Sequence, residues 1–219
     1  MTIFTTTKTD NMTFEETYKA IPAQEVEPKE SRLKINTLEV AGLASVLKAL
    51  RLPFGLSNRS YVELDIAQDN NKIATKAFCE VNENDLRLMS ALVRRGDEHS
   101  KAIRGLVVYA EISAPIWFYR ELETYRFGRE RLSCESTMHI DCKGIGGEEL
   151  QRVKDNIPMG HIQRTVDMFS YQTLRRIYQQ RKGHRLQLWA EFLEWIETLP
   201  FAEELILTGL KDGAENKGV

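Results

Sequence analysis

The chain has 219 residues, of which 42% are hydrophobic and 28% are charged, and its formal net charge is −2 at pH 7. These values are typical of one soluble globular domain with a sizeable core. The small net charge argues against a general binder of nucleic-acid polymers or membrane surfaces, so any anion site has to be local. The three cysteines are odd in number and lack a CxxC spacing, which predicts reduced thiols without a disulfide framework or a zinc site.

The N-terminal segment, residues 1–32, is polar, threonine-rich and acidic, and Pro22 and Pro28 interrupt any periodicity. We expect a flexible arm there, followed by a single domain over residues 33–219. The first thirty residues lack the apolar core of a signal peptide, and no run approaches the roughly 18 apolar residues of a membrane span. The sequence therefore predicts a cytoplasmic protein.

The first half of the domain predicts a helix followed by a β-hairpin. Apolar residues recur near helical spacing from Leu38 to Leu50, and Pro53 ends the pattern. Alternation over Tyr61 to Ala67 and over Lys72 to Val81, on either side of the turn Asn70-Asn71, predicts two paired strands.

A second helix and a buried strand are predicted next. Asn82 or Asn84 is expected to cap the helix, which ends at Gly96. The β-branched, apolar run from Leu106 to Ile112 is typical of a buried strand.

The stretch from Ser113 to His139 combines an apolar run with arginines. The run from Ile116 to Tyr119 follows Pro115, which is tolerated in a first helical turn, and Gly128 offers a place for the helix to end. Four arginines and a hydroxyl-rich segment complete the stretch: Arg120, Arg126, Arg129, Arg131, Ser133, Ser136 and Thr137. The pattern fits either a helix that leads out to a bound anion such as phosphate, or a solvated arginine-rich helix.

The second half predicts a glycine-rich turn at residues 144–147 and helices over residues 148–155 and 161–181. In the longer helix, Ser170, Leu174, Ile177 and Arg181 share one stripe. Arg181 therefore projects from the apolar face, where an arginine needs an anion or an acid as its partner. A structural salt bridge and a ligand contact both remain open. A last amphipathic helix, from Leu186 to Ile196, is expected to place its aromatic residues in the core.

Familiar catalytic motifs are absent from the sequence. The four histidines have no metal-ligand spacing, no serine lies in a GxSxG motif, and Cys134 has no partner that the sequence assigns as its base. This combination of arginines, hydroxyls and histidines suits an enzyme in which a cofactor carries out the bond-making and bond-breaking steps, while the protein binds and orients the reactants. We expect no metal site.

Several short segments recur together in one known family. In order, they are Ala114-Pro115-Ile116, Arg120, Thr124-Tyr125-Arg126, Ser133 to His139, Lys154, Ile157-Pro158, Gln163-Arg164-Thr165, Arg181, Lys182-Gly183-His184 and Trp189. Their order and spacing, over roughly Leu38 to Ile206, resemble the flavin-dependent thymidylate synthases (the ThyX family). The resemblance is strongest to a divergent branch associated with Gram-positive bacteria and phages.

The resemblance implies an α/β (α+β) fold with a curved, mostly antiparallel sheet flanked by helices, and a homotetramer with active sites between subunits. It implies FAD as the cofactor, NADPH and 5,10-methylenetetrahydrofolate as co-substrates, and conversion of dUMP to dTMP without a cysteine nucleophile. The expected location is the cytoplasm of a bacterial cell or of a phage-infected host, with no nucleic-acid polymer and no membrane as partners.

The resemblance also assigns residues to the nucleotide. The substrate-binding residues it implies are Arg120, Glu121, Glu135, Ser136, Lys154, Arg164 and Arg181. Arg181, which matches the arginine that contacts the pyrimidine, is the implied catalytic residue. Glu121 stands where the family usually has glutamine, and Lys154 stands where it has an arginine for the phosphate, which keeps the charge and loses the bidentate fork.

The implied cofactor-binding residues come from four segments. They are His99, Ser100, Lys101, Thr124, Tyr125, Arg126, Ser170, Gln172 and His184. Where the family has Arg-His-Arg, this chain has Thr124, Tyr125 and Arg126, so only the last arginine is retained. Positive charge that would hold the flavin is therefore missing from this segment.

Two other functions stay open. The changes at Glu121 and at the Arg-His-Arg position could suit dCMP, whose exocyclic amine donates where dUMP accepts, which would give a methylase or hydroxymethylase for phage DNA precursors. The chain could also be a non-catalytic nucleotide-binding homologue that has lost flavin.

Overall fold

The computed structural model describes residues 31–55, 62–69, 72–79, 81, 83–139 and 142–210, with the backbone alone over residues 62–79. The described residues from Ser31 to Leu210 belong to one compact unit. The predicted N-terminal arm lies outside the described residues except for Ser31 and Arg32, and so do the Asn70-Asn71 turn and the possible cap Asn82.

Strands and helices are interspersed along the described part of the chain. The strands are β1 (Lys34–Ala41), β2 (Val62–Asp69), β3 (Lys72–Cys79), β4 (Val107–Pro115), β5 (Arg129–Cys134) and β6 (Ile162–Ser170). The α-helices are α1 (Leu43–Arg51), α2 (Glu83–Arg94), α3 (Ile116–Leu122), α4 (Gly147–Asp155), α5 (Tyr171–Arg181) and α6 (Gln187–Glu197). Short 3₁₀ segments lie at Leu52–Phe54 and Lys101–Gly105, and a π-helical segment lies at Glu203–Leu207.

The architecture is an open antiparallel sheet with helices packed against it. Its four strands follow the order β1-β4-β6-β5, and β2 and β3 form a separate antiparallel hairpin. Alternate residues of β4 are buried, including Val108, Ala110 and Ile112, as expected for a strand with one face on the core. Helices α5 and α6 supply much of that core, with Leu174 and Trp189 fully buried. The predicted fold class, mixed helices with an antiparallel sheet in a single domain, is confirmed.

The helix predicted over Leu38 to Leu50 is wrong in its first part. Residues up to Ala41 belong to β1, and α1 begins at Leu43, after Gly42 in the left-handed conformation. Because β1 is the edge strand beside β4, most of its side chains are exposed, including Leu38 at 51%. A strand with so little buried surface shows no clear period of two, and Leu38 falls by chance on the helical pattern of α1.

The arginine-rich helix expected after Pro115 is also wrong. Helix α3 ends at Leu122, and Pro115 is the last residue of β4 and the N-cap of α3, so it lies just before the first helical turn. Gly128 has a positive φ of 77° and leads into β5, so Arg129 and Arg131 lie on a strand. Arg120 is thus the one of the four arginines that α3 carries.

The helix predicted from residue 161 to residue 181 begins ten residues later. Residues 162–170 form β6, which pairs with β4 and β5, and α5 starts at Tyr171 with Ser170 as its N-cap. The inward positions of β6 include Thr165 and Asp167, which are buried polar residues. Because polar residues occupy these inward positions, the sequence of β6 lacks the apolar–polar alternation by which a half-buried strand is recognised.

The remaining elements lie close to their predicted places. The hairpin is confirmed as β2 and β3, and helices over residues 83–94, 147–155 and 187–197 match the predicted ones. Asn84, however, lies inside α2 and does not cap it. Among the described residues, no helix combines the length and the apolar character needed to span a bilayer.

Candidate functional site

Arg181 lies at the end of the apolar stripe of α5. Leu174 and Ile177, on the same stripe, are fully buried, and only 18% of the Arg181 side chain is exposed. The helix therefore directs a guanidinium inward, as its sequence predicts, and partners must compensate for the lost hydration.

Four side chains surround this guanidinium: Glu121, Tyr125, His184 and Trp189. Its Nε donates to the hydroxyl of Tyr125 at 2.8 Å, and its Nη1 donates to Glu121 Oε2 at 3.1 Å. The guanidinium carbon also lies 4.3 Å from the ring centroid of Trp189, within cation–π range. Trp189 Nε1 donates to the same Glu121 oxygen at 2.8 Å, so the indole holds both members of the ion pair.

The two alternatives for Arg181 are therefore partly decided. A salt bridge with Glu121 exists, and its carboxylate is 32% exposed. In the part of the chain that the structure describes, neither Glu121 Oε1 nor Arg181 Nη2 makes a hydrogen bond. The pair thus keeps one acceptor and one donor group for a further molecule, and a role in ligand binding remains compatible with the salt bridge.

His184 faces hydrogen-bond donors with both ring nitrogens. Its Nε2 lies 3.0 Å from Arg181 Nη1, and its Nδ1 lies 3.2 Å from the backbone nitrogen of Leu186. A neutral imidazole has only one acceptor nitrogen, and a protonated one has none. Donors therefore outnumber acceptors around Arg181, and an acceptor atom from a ligand would relieve this imbalance.

A cavity of about 310 Å³ lies beside the N-terminal half of α5. Its lining residues are Arg104, Phe127, Gly128, Ser170, Gln172 and Arg176. Two of them, Ser170 and Gln172, are predicted cofactor residues.

The cavity is lined by ordered polar groups. Arg104 Nε donates to Gln172 Oε1 at 2.6 Å, and Arg176 Nη2 donates to Asp97 Oδ2 at 2.6 Å. The Arg176 guanidinium holds the pKa of Asp97 below its usual range, with smaller contributions from Gln172 and Arg104. Gln172 Nε2 is buried and makes no hydrogen bond of normal geometry with any described residue.

Gly128 lines this cavity at a point where its loop packs tightly against the start of α5. A Cβ atom at Gly128 would lie 2.5 Å from Ser170 Oγ and closer still to Thr173 Oγ1. The backbone oxygens of Phe127 and Gly128 accept hydrogen bonds from Thr173 Oγ1 at 2.5 Å and from Ser170 N at 2.7 Å. The N-terminus of α5 thus fixes the loop that carries Tyr125 and Phe127.

A third group contains residues predicted to hold the nucleotide phosphate. Arg164 donates to Glu135 Oε1 through Nη2 at 2.5 Å, and both line a cavity of about 220 Å³. Lys154 Nζ donates to Thr137 Oγ1, which brings Lys154 next to the segment of Ser136. No described contact joins this group to Arg181.

The Glu135–Arg164 pair gives a prediction about titration. Hydrogen bonds from Arg164 lower the pKa of Glu135, so the pair stabilises the fold above the ordinary glutamate pKa and loses this effect as the pH falls through the folded pKa. In an Arg164→Gln variant, NMR titration should show the pKa of Glu135 rising toward its ordinary value. Arg152→Gln, on exposed α4, should leave it unchanged, and an unchanged value in both variants would contradict the pairing.

The other predicted site residues are more scattered. Arg120, Thr124, Arg126, His99 and Lys101 are exposed, Ser136 is half-buried, and Ser100 is buried. The structure therefore brings together Glu121, Tyr125, Arg181 and His184 in one group, and Ser170 with Gln172 in another.

Several residues of these groups are not among the predicted site residues, and they include Arg104, Arg176 and Trp189. Arg176 lies four residues after Gln172, which places both on one helix face, so its signal was present in the sequence. Arg104 lies just beyond the predicted segment 99–101, at the end of the 3₁₀ segment Lys101–Gly105.

Known proteins resemble this chain in fold but not in sequence. No family model and no curated protein sequence matches the chain. Among solved structures, Thymidylate Synthase X (ThyX) from Helicobacter pylori with FAD and dUMP is similar, with a TM-score of 0.54 and 12% identity over 80% of this chain and 97% of that one.

The chain has a ThyX-like fold. A second structure of flavin-dependent thymidylate synthase ThyX from Helicobacter pylori, complexed with FAD and dUMP, has a TM-score of 0.54 and 13% identity over 79% of this chain and 97% of that one. The UMP/dUMP methylase PolB from Streptomyces cacaoi, bound with 5-Br dUMP, has a TM-score of 0.49 and 13% identity over 80% of this chain and 94% of that one. At these identities the likeness to ThyX shows the fold alone.

Proposed function

We propose that this chain is a flavin-dependent thymidylate synthase that acts as a homotetramer and converts dUMP to dTMP. Its co-substrates would be 5,10-methylenetetrahydrofolate and NADPH. The observation that carries the proposal is the half-buried Arg181 on a ThyX-like fold, held in place by Glu121, Tyr125 and Trp189. The order of the sequence segments supports the same family.

Arg181 suits the base of the nucleotide better than its phosphate. Glu121 neutralises the guanidinium, so the pair offers a neutral donor and acceptor edge. A pyrimidine base presents the complementary arrangement of donors and acceptors. Arg181 would orient the base and stabilise negative charge that develops on it, which costs little reorganisation because the guanidinium is already fixed.

The phosphate would lie with the third group. Lys154 and Ser136 provide a cation and a hydroxyl beside each other along the chain segment that Lys154 contacts through Thr137. Arg164, which Glu135 already pairs, would add charge in the same group. Arg120 is exposed and is the further nucleotide-binding residue that the resemblance implies. The proposal needs no covalent nucleophile, and Cys134 has no assigned role in it.

The residues around the cavity of about 310 Å³ fit a flavin. The Nε2 of the buried Gln172 side chain, which lacks a hydrogen bond of normal geometry, is a feature of a site completed by a ligand with acceptor atoms. Gly128 lets its loop approach Ser170 and Thr173 closely, which holds the wall of that cavity in place. When bound, FAD would carry hydride from NADPH to the carbon derived from methylenetetrahydrofolate. Ser170, Gln172, Tyr125 and His184 would bind and orient it, and Thr124 and Arg126 lie in the same loop as Tyr125.

The direct test is the visible absorption spectrum of the purified protein after incubation with FAD, followed by dUMP and then dCMP. A bound flavin whose spectrum shifts with dUMP, and dTMP formation on adding the co-substrates, are the expected results. A protein that never takes up flavin would contradict the proposal and leave a non-catalytic homologue.

A second candidate substrate is dCMP, and Glu121 is the observation that favours it. Its Oε1 is an acceptor without a described partner, and the exocyclic amine of cytosine is a donor. A spectral shift with dCMP alone, together with a methylated or hydroxymethylated cytosine product, would support this candidate over dUMP.

Replacement of Arg181 by alanine should weaken nucleotide binding by about ten- to a hundred-fold, the loss typical of hydrogen bonds to a charged group. Titration of the flavin spectrum with nucleotide measures this change. Arg181→Lys keeps the charge but loses the contacts to two partners at once, so it should recover only part of the affinity. Arg185→Ala, at an exposed position four residues along the chain, is the matched control. Equal affinity of the Arg181→Ala protein and the wild type would contradict the role.

A further inference from the structure

We propose that Arg104 and Arg176 bind the diphosphate of FAD and replace the positive charge that is missing at Thr124 and Tyr125. This inference rests on the proposed function and deepens it, because it names the residues that hold the anionic part of the cofactor. Arg126, the retained arginine of that loop, does not line the cavity.

The polar atoms directed at the cavity are mainly donors. Arg104 uses Nε for Gln172, and its two terminal nitrogens make no hydrogen bond with a described residue. Gln172 uses its oxygen for Arg104, and its buried Nε2 makes no hydrogen bond of normal geometry, although it lies close enough to Asp97 to help lower the pKa of that carboxyl. A buried donor without an acceptor is costly, so the site is completed by a ligand rich in acceptors.

The charge at the cavity is positive overall. Arg104 and Arg176 contribute two positive charges, and the neighbouring Asp97 contributes one negative charge, through its pair with Arg176. The Asp97 contact fixes the Arg176 guanidinium from one side, so that less side-chain entropy is lost when an anion binds on the other. A diphosphate supplies several acceptor oxygens and the negative charge together.

The cavity is large enough to hold only a part of the cofactor. At about 310 Å³ it is at the lower end of ligand pockets, which run from roughly 300 to 1,000 Å³, and is too small for a whole dinucleotide. Phe127 lines it and is 86% exposed, so its ring offers a surface on which an aromatic ring outside the cavity can stack. This arrangement fits a diphosphate inside the cavity with a ring of the cofactor against Phe127.

The experiment compares FAD with riboflavin, which has the same ring system and no phosphate. Binding to wild type and to Arg104→Ala is measured by the change in flavin fluorescence. We expect Arg104→Ala to weaken FAD binding by about ten- to a hundred-fold and to leave riboflavin binding unchanged. Arg95→Ala, at an exposed position outside the cavity, is the matched control and should bind FAD like the wild type.

Inorganic pyrophosphate separates this inference from the proposed function. Calorimetric titration of wild type should show pyrophosphate binding that Arg104→Ala loses, and pyrophosphate should compete with FAD. If pyrophosphate binds in this Arg104-dependent way but flavin does not bind, the anion site stands and the flavoenzyme function fails. If FAD affinity is unchanged in Arg104→Ala, or if FAD and riboflavin lose affinity equally, the assignment to the diphosphate is overturned.

Discussion

Replacement of Asp167 by asparagine is expected to lower the free energy of unfolding by about 3–5 kcal/mol, the usual cost of removing one partner from a buried ion pair. Asp167 is fully buried on β6 and pairs with Arg129, whose side chain is 5% exposed. Burial lowers the pKa of Arg129 and the Asp167 carboxylate opposes that shift, but a guanidinium remains charged in either case. The substitution would therefore leave a buried positive charge without its counterion.

The surroundings of this pair offer little compensation. Arg131 Nε lies 3.9 Å from Asp167, and Thr165 donates its hydroxyl to the same carboxylate. Arg129 Nε, Arg131 Nε and Arg131 Nη2 are already buried without a hydrogen bond to any described residue. Asp167 thus lies within reach of both arginines. The half-exposed Glu123 pairs with Arg131 Nη1 at 2.9 Å and exerts a weaker attraction on Arg129, so it compensates only in part for the loss of Asp167.

Urea denaturation of the Asp167→Asn protein measures the effect. Glu83→Gln is the control, because its ion pair with Arg87 is 70–77% exposed and should contribute less than about 1 kcal/mol. A double variant, Arg129→Met with Asp167→Leu, should recover most of the loss, since apolar residues of similar volume often replace a buried pair without cost. A change below about 1 kcal/mol in Asp167→Asn would show that water reaches the site.

The same pair explains why β6 could not be predicted from its sequence. A strand is recognised by alternation of apolar and polar residues, but β6 turns Thr165 and Asp167 toward the core. These residues are inside because Arg129, 38 positions before Asp167 in the chain, meets them there. The information lies in a contact between distant residues, which a local pattern does not contain.

Where one side of an element packs on apolar residues alone, the sequence was sufficient to predict which face of that element is buried. The stripe of Leu174 and Ile177 on α5 predicted both the buried face and the inward direction of Arg181. The position of Arg181 at the helix end also predicted its need for a partner. Which acid it meets depends on how α3 packs against α5 and α6, so Glu121 emerged as a partner only from the structure.

The cavity of about 310 Å³ beside α5 was the hardest part of the molecule to predict from the sequence. Its residues come from the 3₁₀ segment before β4, from the loop before β5 and from the start of α5. Ser170 and Gln172 were predicted through the family resemblance, which also marks residues 99–101. Arg104 departs from that segment by only three residues, but its role follows from the sheet, which brings the start of β4 beside the end of β6.

Replacement of Gly128 by alanine should lower the free energy of unfolding by about 2–5 kcal/mol and should also weaken FAD binding. At φ +77° an L-residue costs about 1–2 kcal/mol, and the added methyl group would overlap Ser170 Oγ and Thr173 Oγ1, where overpacking typically costs 1–3 kcal/mol. These two hydroxyls cannot move freely, because Ser170 Oγ caps α5 through Thr173 N at 3.2 Å and Thr173 Oγ1 holds the Phe127 carbonyl. Any displacement therefore disturbs the helix start and the cavity together.

Gly144→Ala separates the packing effect from the backbone effect. Gly144 also has a positive φ, of 84°, but a Cβ there would meet nothing within 4 Å, so only the backbone cost of about 1–2 kcal/mol should appear. Thermal or urea unfolding of both variants gives the difference, and flavin fluorescence gives their FAD affinities. If Gly128→Ala were no more destabilising than Gly144→Ala, the close approach of the loop to α5 would be wrong. If it were destabilising but bound FAD normally, the loop would support the fold without shaping the cofactor site.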